Sequence, residues 1–417
     1  MNDASKDPCA APSGLLTVAE ARARIDALVT PIRGEEQLPV RTALGRVLTE
    51  PVISTIDVPP YTNSAMDGYA VRGDDLPQTG RVRLTVVGRA MAGAPWDGEL
   101  APGQAVRIMT GAVMPAGADT VLMQEAVTVG DDAIEIGTGH TRGENVRQAG
   151  EDMAAGDTVI APGTRLLPAE LGVLASLGIA EVRVRRRLRV AFFSTGDELK
   201  SLGEPLGPGQ IYDSNRYTLH GMLSRLGVDL LDLGVIRDDR DAIRRAFHDA
   251  AEMTDVVITS GGVSVGEADF VKQTLDELGR VDFWKIAMKP GKPLAFGTVG
   301  AAVFFGLPGN PVSVMATFYQ FVQPALQKMM GMTAAPALSL RVPCAVALRK
   351  QPGRLEYQRG ILQQDTDGNL TVTTTGRQGS HVLSSMSRSN CFIILPAECA
   401  GVAAGELVEV QPFAGLI

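Results

Sequence analysis

Thr254-Asp255-Val256-Val257-Ile258-Thr259-Ser260-Gly261-Gly262-Val263-Ser264-Val265-Gly266-Glu267-Ala268-Asp269-Phe270 is the stretch whose reading decides the fold. Val256 to Ile258 is a β-branched run of the kind that fills a buried strand. Ser260-Gly261-Gly262 ends it. Two adjacent glycines let the backbone turn sharply and approach a ligand with no Cβ in the way. Glu267-Ala268-Asp269 then opens a helical pattern with Val271, Leu275 and Leu278 on one face. A strand, a glycine turn and a helix start make an anion site, because free N–H groups and the helix dipole point at it. The Asp269 carboxylate suits a metal ion or a polar ligand there. The same residues also describe an ordinary turn whose acid complements the dipole.

Outward from this segment, residues 188–330 alternate strand patterns with amphipathic helices, the signature of a parallel α/β sheet. Leu188 to Phe193 predicts a strand ending in Ser194-Thr195-Gly196-Asp197-Glu198-Leu199. Asp213-Ser214-Asn215 predicts the cap of a helix carrying Leu219, Met222, Leu223 and Leu226. Asp229 to Ile236 predicts a strand ending in Arg237-Asp238-Asp239, with Asp241 capping the next helix. Asp282 to Met288 reads as another strand, followed by Lys289-Pro290-Gly291-Lys292-Pro293. Val303-Phe304-Phe305 reads as the last. After it, Asn310 fits the N-cap and Pro311 the N1 position of a helix through Met315, Phe318, Val322 and Leu326. Acids and lysines thus follow strand after strand: Asp197 and Glu198, Asp238 and Asp239, Asp269, then Lys289 and Lys292. Ligands of open α/β sheets bind beyond the carboxyl ends of the strands. The collection points to an anionic ligand with a hard cation such as Mg²⁺. No Walker A sequence and no GxGxxG fingerprint is present, so nucleotide hydrolases and dehydrogenases lack their key motif here.

The flanks differ in character. Thr17-Val18-Ala19-Glu20 reads as a capping box. Pro51, Pro59 and Pro60 mark a connector. Tyr61 to Ala70 is a polar loop in which Asn63, Ser64 and Asp67 either bind a ligand or form an Asx-turn into a strand. Residues 70–150 alternate short strands with glycine turns, which predicts a small β domain with Thr110-Gly111-Ala112 as its most site-like piece. Asn145 to Asp152 is an acidic turn, Pro168 to Leu177 a short helix, and Glu181 to Arg187 a boundary strand. Residues 331–417 return to β patterns and predict a small barrel. Its most polar pieces are Arg354 to Gly360 and Gln378 to His381.

Composition narrows the function. The formal charge of -8 argues against general nucleic-acid binding. The four cysteines show no CxxC spacing and predict a reducing, cytoplasmic compartment. The four histidines are scattered, which argues against a His/Cys zinc site. No apolar h-region opens the chain, and no apolar run reaches the ~18 residues of a membrane span.

Taken together, the chain resembles the molybdopterin molybdenumtransferases, the bacterial MoeA and gephyrin E-domain family, from about Leu15 to the C-terminus. The resemblance rests on Ser64-Ala65-Met66-Asp67-Gly68-Tyr69-Ala70, Thr110-Gly111-Ala112, Ser194 to Leu199, Ser260 to Gly266, Lys289-Pro290-Gly291-Lys292-Pro293 and Leu307-Pro308-Gly309-Asn310-Pro311. It implies a multidomain α/β plus β fold: a discontinuous N-terminal domain (14–60 and 150–187), an inserted small β domain (61–149), a doubly wound α/β domain resembling molybdopterin adenylyltransferase (188–330) and a C-terminal β-barrel (331–417). It implies a homodimer with a composite active site that uses molybdate and adenylylated molybdopterin, with Mg²⁺, and releases AMP. By motif position it assigns molybdate and pterin binding to Lys289, Lys292, Pro293, Gly261, Gly262, Ser264, Pro308, Asn310, Pro311, Ser313, Arg359 and Ser380. Asp197, Glu198, Asp238 and Asp269 are the metal candidates. Asp67, Thr110, Asp152, Glu198, Asp238, Asp269, Lys285 and Lys289 are the catalytic candidates, with the first three coming from the partner subunit. The adenylylating enzyme itself and an inactive scaffold of the same fold are the alternatives. The first carries a Thr-Gly-Gly-Thr-Gly type loop where this chain has Ser260-Gly261-Gly262-Val263-Ser264.

Overall fold

The structure is a computed structural model that describes residues 14–262 and 270–413. The described chain divides into two compact units. One comprises residues 37–44 and 50–183, the other residues 14–36, 45–49 and 184–413.

The smaller unit is built on a six-stranded sheet with the order Thr120–Met123, Gly68–Val71, Gln104–Ile108, Val82–Ala90, Ala133–Ile136, Val127–Val129. Alternation along the strands produces two apolar faces. Tyr69, Val71, Leu84, Leu122 and Ile134 are buried on one, and Ala70, Ala90, Val106, Ile108 and Val121 on the other. The helix Pro168–Ser176 starts with proline at its first turn, and Glu170 reaches back to the Leu167 N–H at 2.9 Å.

The larger unit contains the α/β sheet. Its strands are β1 (Arg189–Thr195), β2 (Asp229–Ile236), β3 (Val256–Ser260), β4 (Gly279–Lys285), β5 (Pro293–Val299) and β6 (Ala302–Leu307), in the order β2-β1-β3-β6-β5-β4. The first four of that order are parallel; β5 runs antiparallel to both β6 and β4. Two reversals bring β4 back into line with β1, β2, β3 and β6, so five strands end on one edge. The helices are α1 (Ser214–Leu226), α2 (Arg240–Met253), α3 (Phe270–Leu278) and α4 (Pro311–Thr317). α1 and α4 share a core with Val190, Phe192, Val256 and Ile258, whereas α2 and α3 bury Ile243, Phe247, Val271 and Leu275 with Ala191, Phe193, Val257 and Phe304. Phe193, Phe247 and Phe304 meet edge to face, with centroids 5.1 and 5.5 Å apart. The sheet is therefore doubly wound, as expected.

Three local expectations change. Asp239, not Asp241, caps α2, accepting the Ala242 N–H at 2.8 Å; Asp241 lies in the first turn and complements the dipole. β5 was not anticipated, because it begins on a proline and carries Gly297 inside a short apolar run. The strand expected to continue to Met288 stops at Lys285. Ile286 donates instead to the Lys292 carbonyl at 2.7 Å, closing a turn, and Met288–Lys289 pairs with a different sheet.

That other sheet is the C-terminal barrel. Strand Leu370–Thr374 pairs Leu355–Gln364, which pairs Cys391–Leu395, then Leu407–Pro412, then Leu340–Pro343. The circle closes where Ala345 donates to the Val372 carbonyl at 2.8 Å. At the other end of the chain, Thr17 and Glu20 form the expected capping box (2.7 and 3.1 Å). The helix it starts, Val18–Leu28, buries Val18, Ala21 and Ile25 in the core that holds Phe321, Val322 and Ala325. Residues 14–60 are thus shared between the two units. Among the described residues no helix is long and apolar enough to cross a membrane.

Asp255 ties the start of β3 to its neighbour. Its carboxylate accepts both terminal nitrogens of Arg186 (2.7 and 2.8 Å) and the Arg189 N–H (2.9 Å). Burial pushes this carboxyl up, but the bonds from Arg186 and Arg189 outweigh burial and hold it below the usual 3.8. A depressed carboxyl stabilises fully above its unfolded value, and that stability is lost as pH falls through the folded one. Asp255→Ala should therefore cost about 1–3 kcal/mol at neutral pH. The difference from wild type should shrink below about pH 4, as urea titrations at several pH values would reveal. A penalty independent of pH would contradict the ionic account.

Candidate active site

The carboxyl edge of the sheet gathers the candidates. Gly261 and Gly262 follow β3 with φ of +91° and +66°. A Cβ on Gly261 would lie 2.9 Å from the Thr195 carbonyl, and one on Gly262 would lie 2.7 Å from Val271. Only glycine fits either position, and the bare backbone there borders the β1 turn. Ser264 and Asp269 lie outside the described residues.

The β1 turn brings the acids. Asp197 and Glu198 are exposed. Asp197 accepts the Asp238 N–H at 3.3 Å, which joins the ends of β1 and β2. The Glu198 carboxylate folds over Gly196, where a Cβ would sit 2.5 Å from its Oε2. Among the described residues no group of three His, Cys, Asp or Glu side chains could hold a metal ion by itself. Mg²⁺ does not need such a cage: one or two carboxylates with waters and substrate phosphates suffice. Asp197 and Glu198 are exposed carboxylates of that kind.

Lys285 ends β4, and Lys289 and Lys292 sit in the turn between β4 and β5. Lys285, Lys289 and Lys292 are exposed, and Pro293 begins β5. Lys289 Nζ lies 3.2 Å from Glu356 Oε1, a nearly buried carboxylate that also accepts from Gln358 at 3.2 Å. Gly291 (φ +100°) packs where a Cβ would meet Thr317 Oγ1 at 2.7 Å.

Pro308 is buried directly after β6; Asn310 holds the N-cap backbone of α4 and Pro311 its first turn. The Asn310 side chain makes no capping bond, contrary to its expected role, and is exposed. Ser313 is buried in the first turn. The Val312 N–H donates to the Ser380 carbonyl at 3.1 Å, which brings the barrel loop around Ser380 to α4.

Arg359 holds that loop from inside. It is 1% exposed. Its Nε donates to Ser385 Oγ and one terminal nitrogen to the Gly379 carbonyl, both at 3.0 Å. Burial pushes its guanidinium down to about 10, against the pull of Glu356. Arg359 therefore braces the segment that carries Ser380 rather than standing exposed beside the lysines.

Asp67, Thr110 and Asp152 belong to the smaller unit. Thr110 donates to Asp67 through its N–H (2.8 Å) and hydroxyl (2.7 Å), and these bonds hold the Asp67 carboxyl below its usual range. Asp67 is thus an exposed, fully ionised carboxylate at neutral pH. Asp152 is exposed, and its N–H donates to the Val58 carbonyl at 3.0 Å.

Three polar residues hold partners that their sequence setting does not announce. Glu356 and Gln358 alternate on a strand that ought to be apolar on that face, a pattern that marks a buried polar partner. Asn215 read as part of a cap, yet its amide bonds Ser260 Oγ at 2.8 Å and the Gly309 carbonyl at 2.7 Å.

Comparison with known proteins agrees with this layout. Three family profiles match in succession: MoeA N-terminal region (domain I and II) over residues 16–178, probable molybdopterin binding domain over 191–328, and MoeA C-terminal region (domain IV) over 341–413. A molybdopterin molybdenumtransferase of Haemophilus influenzae is 46% identical over 408 residues, covering 97% of this chain and 100% of that one. One from Nostoc is 40% identical, covering 88% and 86%. The crystal structure of a molybdopterin biosynthesis moeA protein from Pyrococcus horikoshii superimposes with a TM-score of 0.82 at 30% identity, over 95% of this chain and all of that one. With its motifs in family order, its α/β sheet and barrel in the family arrangement and a full-length relative near half identity, the chain belongs to the molybdopterin molybdenumtransferase family of enzymes.

Proposed function

We propose that this enzyme transfers molybdenum from molybdate onto the dithiolene of adenylylated molybdopterin, releasing AMP in a Mg²⁺-dependent reaction. The observation that carries the reading is that a glycine cradle, paired acids and a lysine turn all follow strands along the same edge of one sheet. Both substrates are anions. Lys289 and Lys292 supply the positive charge and donors that a tetrahedral oxyanion requires, with the Ser313 and Ser380 hydroxyls as further donors. Gly261 and Gly262 let phosphate oxygens approach the backbone closely. Lys285 and the Pro293, Pro308, Asn310 and Pro311 turns shape the same edge. Asp197, Glu198 and Asp238, with Asp269 by motif position, would hold Mg²⁺. When bound, that ion neutralises phosphate charge and favours departure of AMP. Asp67, Thr110 and Asp152 serve in a composite site completed by a second copy of the chain. The substrate's own dithiolene provides the sulfur ligands, so the protein needs no thiolate. In keeping with that, burial pushes the Cys391 thiol up to about 12. Free Cys344, Cys391 and Cys399 suit a cytoplasmic enzyme.

The test is AMP release from purified protein given adenylylated molybdopterin and Mg²⁺, with and without molybdate. Molybdate-dependent release, with a product that reconstitutes an apo-molybdoenzyme, is expected. In a parallel assay with molybdopterin and ATP, transfer of AMP to molybdopterin with release of pyrophosphate would reassign the chain to adenylylation.

A further inference from the structure

We propose that Asn215 is a positioning residue for this reaction: its amide locks the Pro308–Ser313 segment to the Ser260–Gly262 turn. The inference rests on the function proposed above and adds a residue to it.

Asn215 occupies the first turn of α1, two residues after the buried N-cap Asp213, whose Oδ1 accepts the Arg216 N–H at 3.1 Å. Its two amide hydrogens go to different elements. One reaches Ser260 Oγ at 2.8 Å, at the last residue of β3; the other reaches the Gly309 carbonyl at 2.7 Å, in the loop after β6. The amide cannot be turned over, because Oδ1 would then face the Gly309 carbonyl oxygen. Helix α1 thus joins the two strand ends that carry the glycine cradle and the start of α4. The backbone reinforces the junction, since Gly261 donates to the Leu307 carbonyl at 3.1 Å.

The other side of the amide explains why stability alone does not account for this residue. Among the described residues, Asn215 Oδ1 is buried with no hydrogen-bond partner, and the same holds for Asp213 Oδ2 and Ser194 Oγ. Register places Ser194 beside Ser260 on adjacent strands, so these unsatisfied oxygens share the α1 face at the carboxyl edge. Buried unpaired acceptors are costly and call for a reason. Here the reason is geometric. The donor side must point at Gly309, and the acceptor side is left without a bond as a result. Gly309 immediately precedes Asn310 and Pro311, so the tie fixes where α4 begins and where Ser313 sits relative to Gly261 and Gly262. A displacement of about 1 Å at such a junction is enough to lower turnover on the order of 100-fold.

The test uses the full chain and the variants N215A, N215S and N215D. Hydrogen exchange over residues 308–314 is measured first, without substrate. Faster exchange there in N215A and N215S, with the remainder of the chain unchanged, is expected. In turnover, kcat for molybdate-dependent AMP release should fall roughly 100-fold, with KM for adenylylated molybdopterin changing less than about threefold. In N215D, acid should rescue activity. The introduced carboxyl regains a proton to donate to Gly309 as pH falls from about 8 to about 5.5, so its activity relative to wild type should rise. Exchange at 308–314 equal to wild type in both N215A and N215S overturns the proposal whatever the kinetics. So does a kcat within about threefold of wild type in an active preparation. A wild-type enzyme that releases no AMP would overturn the function instead, and the exchange measurement would still decide the structural tie.

Discussion

Lys292→Ala should lower molybdate-dependent AMP release by about 10²–10³-fold while leaving the fold intact, the range seen when one preorganised donor is removed from a developing anion. The turn that carries Lys292 does not depend on its side chain. Its carbonyl accepts Ile286 N–H at 2.7 Å, and Gly291 packs on Thr317 with no room for a Cβ. The ammonium itself is exposed. Exposed side chains away from caps and cores change stability by no more than ~0.5 kcal/mol, so the thermal midpoint should hardly move. The loss should fall on the chemical step if the charge acts on the departing phosphate, and on KM for molybdate if it only captures the oxyanion. Lys292→Arg should recover the activity incompletely, because a planar fork does not replace a compact point charge. Steady-state kinetics with molybdate varied decide the matter. Activity within about threefold of wild type would remove Lys292 from the site.

Arg359→Ala should be the most destabilising single change at the site, by about 3–5 kcal/mol. The substitution empties a large buried volume and strips the Gly379 carbonyl and Ser385 hydroxyl of their donor. Arg359→Met fills most of that volume and leaves only the unpaired acceptors, so about 1–3 kcal/mol is expected. The charge contributes with its own sign. Burial lowers the guanidinium from 12.5 to about 10, so keeping it charged in the folded state costs stability below that value. Relative to Arg359→Met, the wild type should therefore gain stability as pH rises from about 10 toward about 12. Denaturant titration measures all three proteins. A cost below about 1 kcal/mol for Arg359→Ala would mean that the Gly379–Ser385 loop does not depend on the guanidinium.

The parts legible in the sequence were those governed by local chemistry. Val256 to Ile258 and Leu188 to Phe193 are apolar enough to be buried strands in any context. The Thr17 and Glu20 box, the Asp213 cap and Pro311 at N1 announce helix starts by short-range hydrogen bonding. The strand-end acids and lysines followed from those assignments. The parts that stayed hidden depend on distant partners. Pro293 and Gly297 disguise β5, whose place is secured by pairing on both sides. Met288 and Lys289 look like the end of a strand until Leu355 and Glu356 claim them. Arg359 reads as an anion-binding surface cation, and only the barrel interior turns it inward. Asn215 belongs to a local cap pattern, and nothing near it in sequence foretells Gly309.

The strand Met288–Lys289 sets a rule for rebuilding this enzyme. The barrel appears in sequence as a detachable C-terminal module, yet its sheet is completed by two residues from the preceding domain, beside a chain crossing where Leu16 exchanges hydrogen bonds with Lys285 and Ala287. A chimaera that imports a foreign barrel must therefore bring its own version of residues 286–292, together with the lysines that this turn presents. Recombination across residue 330 alone separates the lysine turn from the sheet that shapes it.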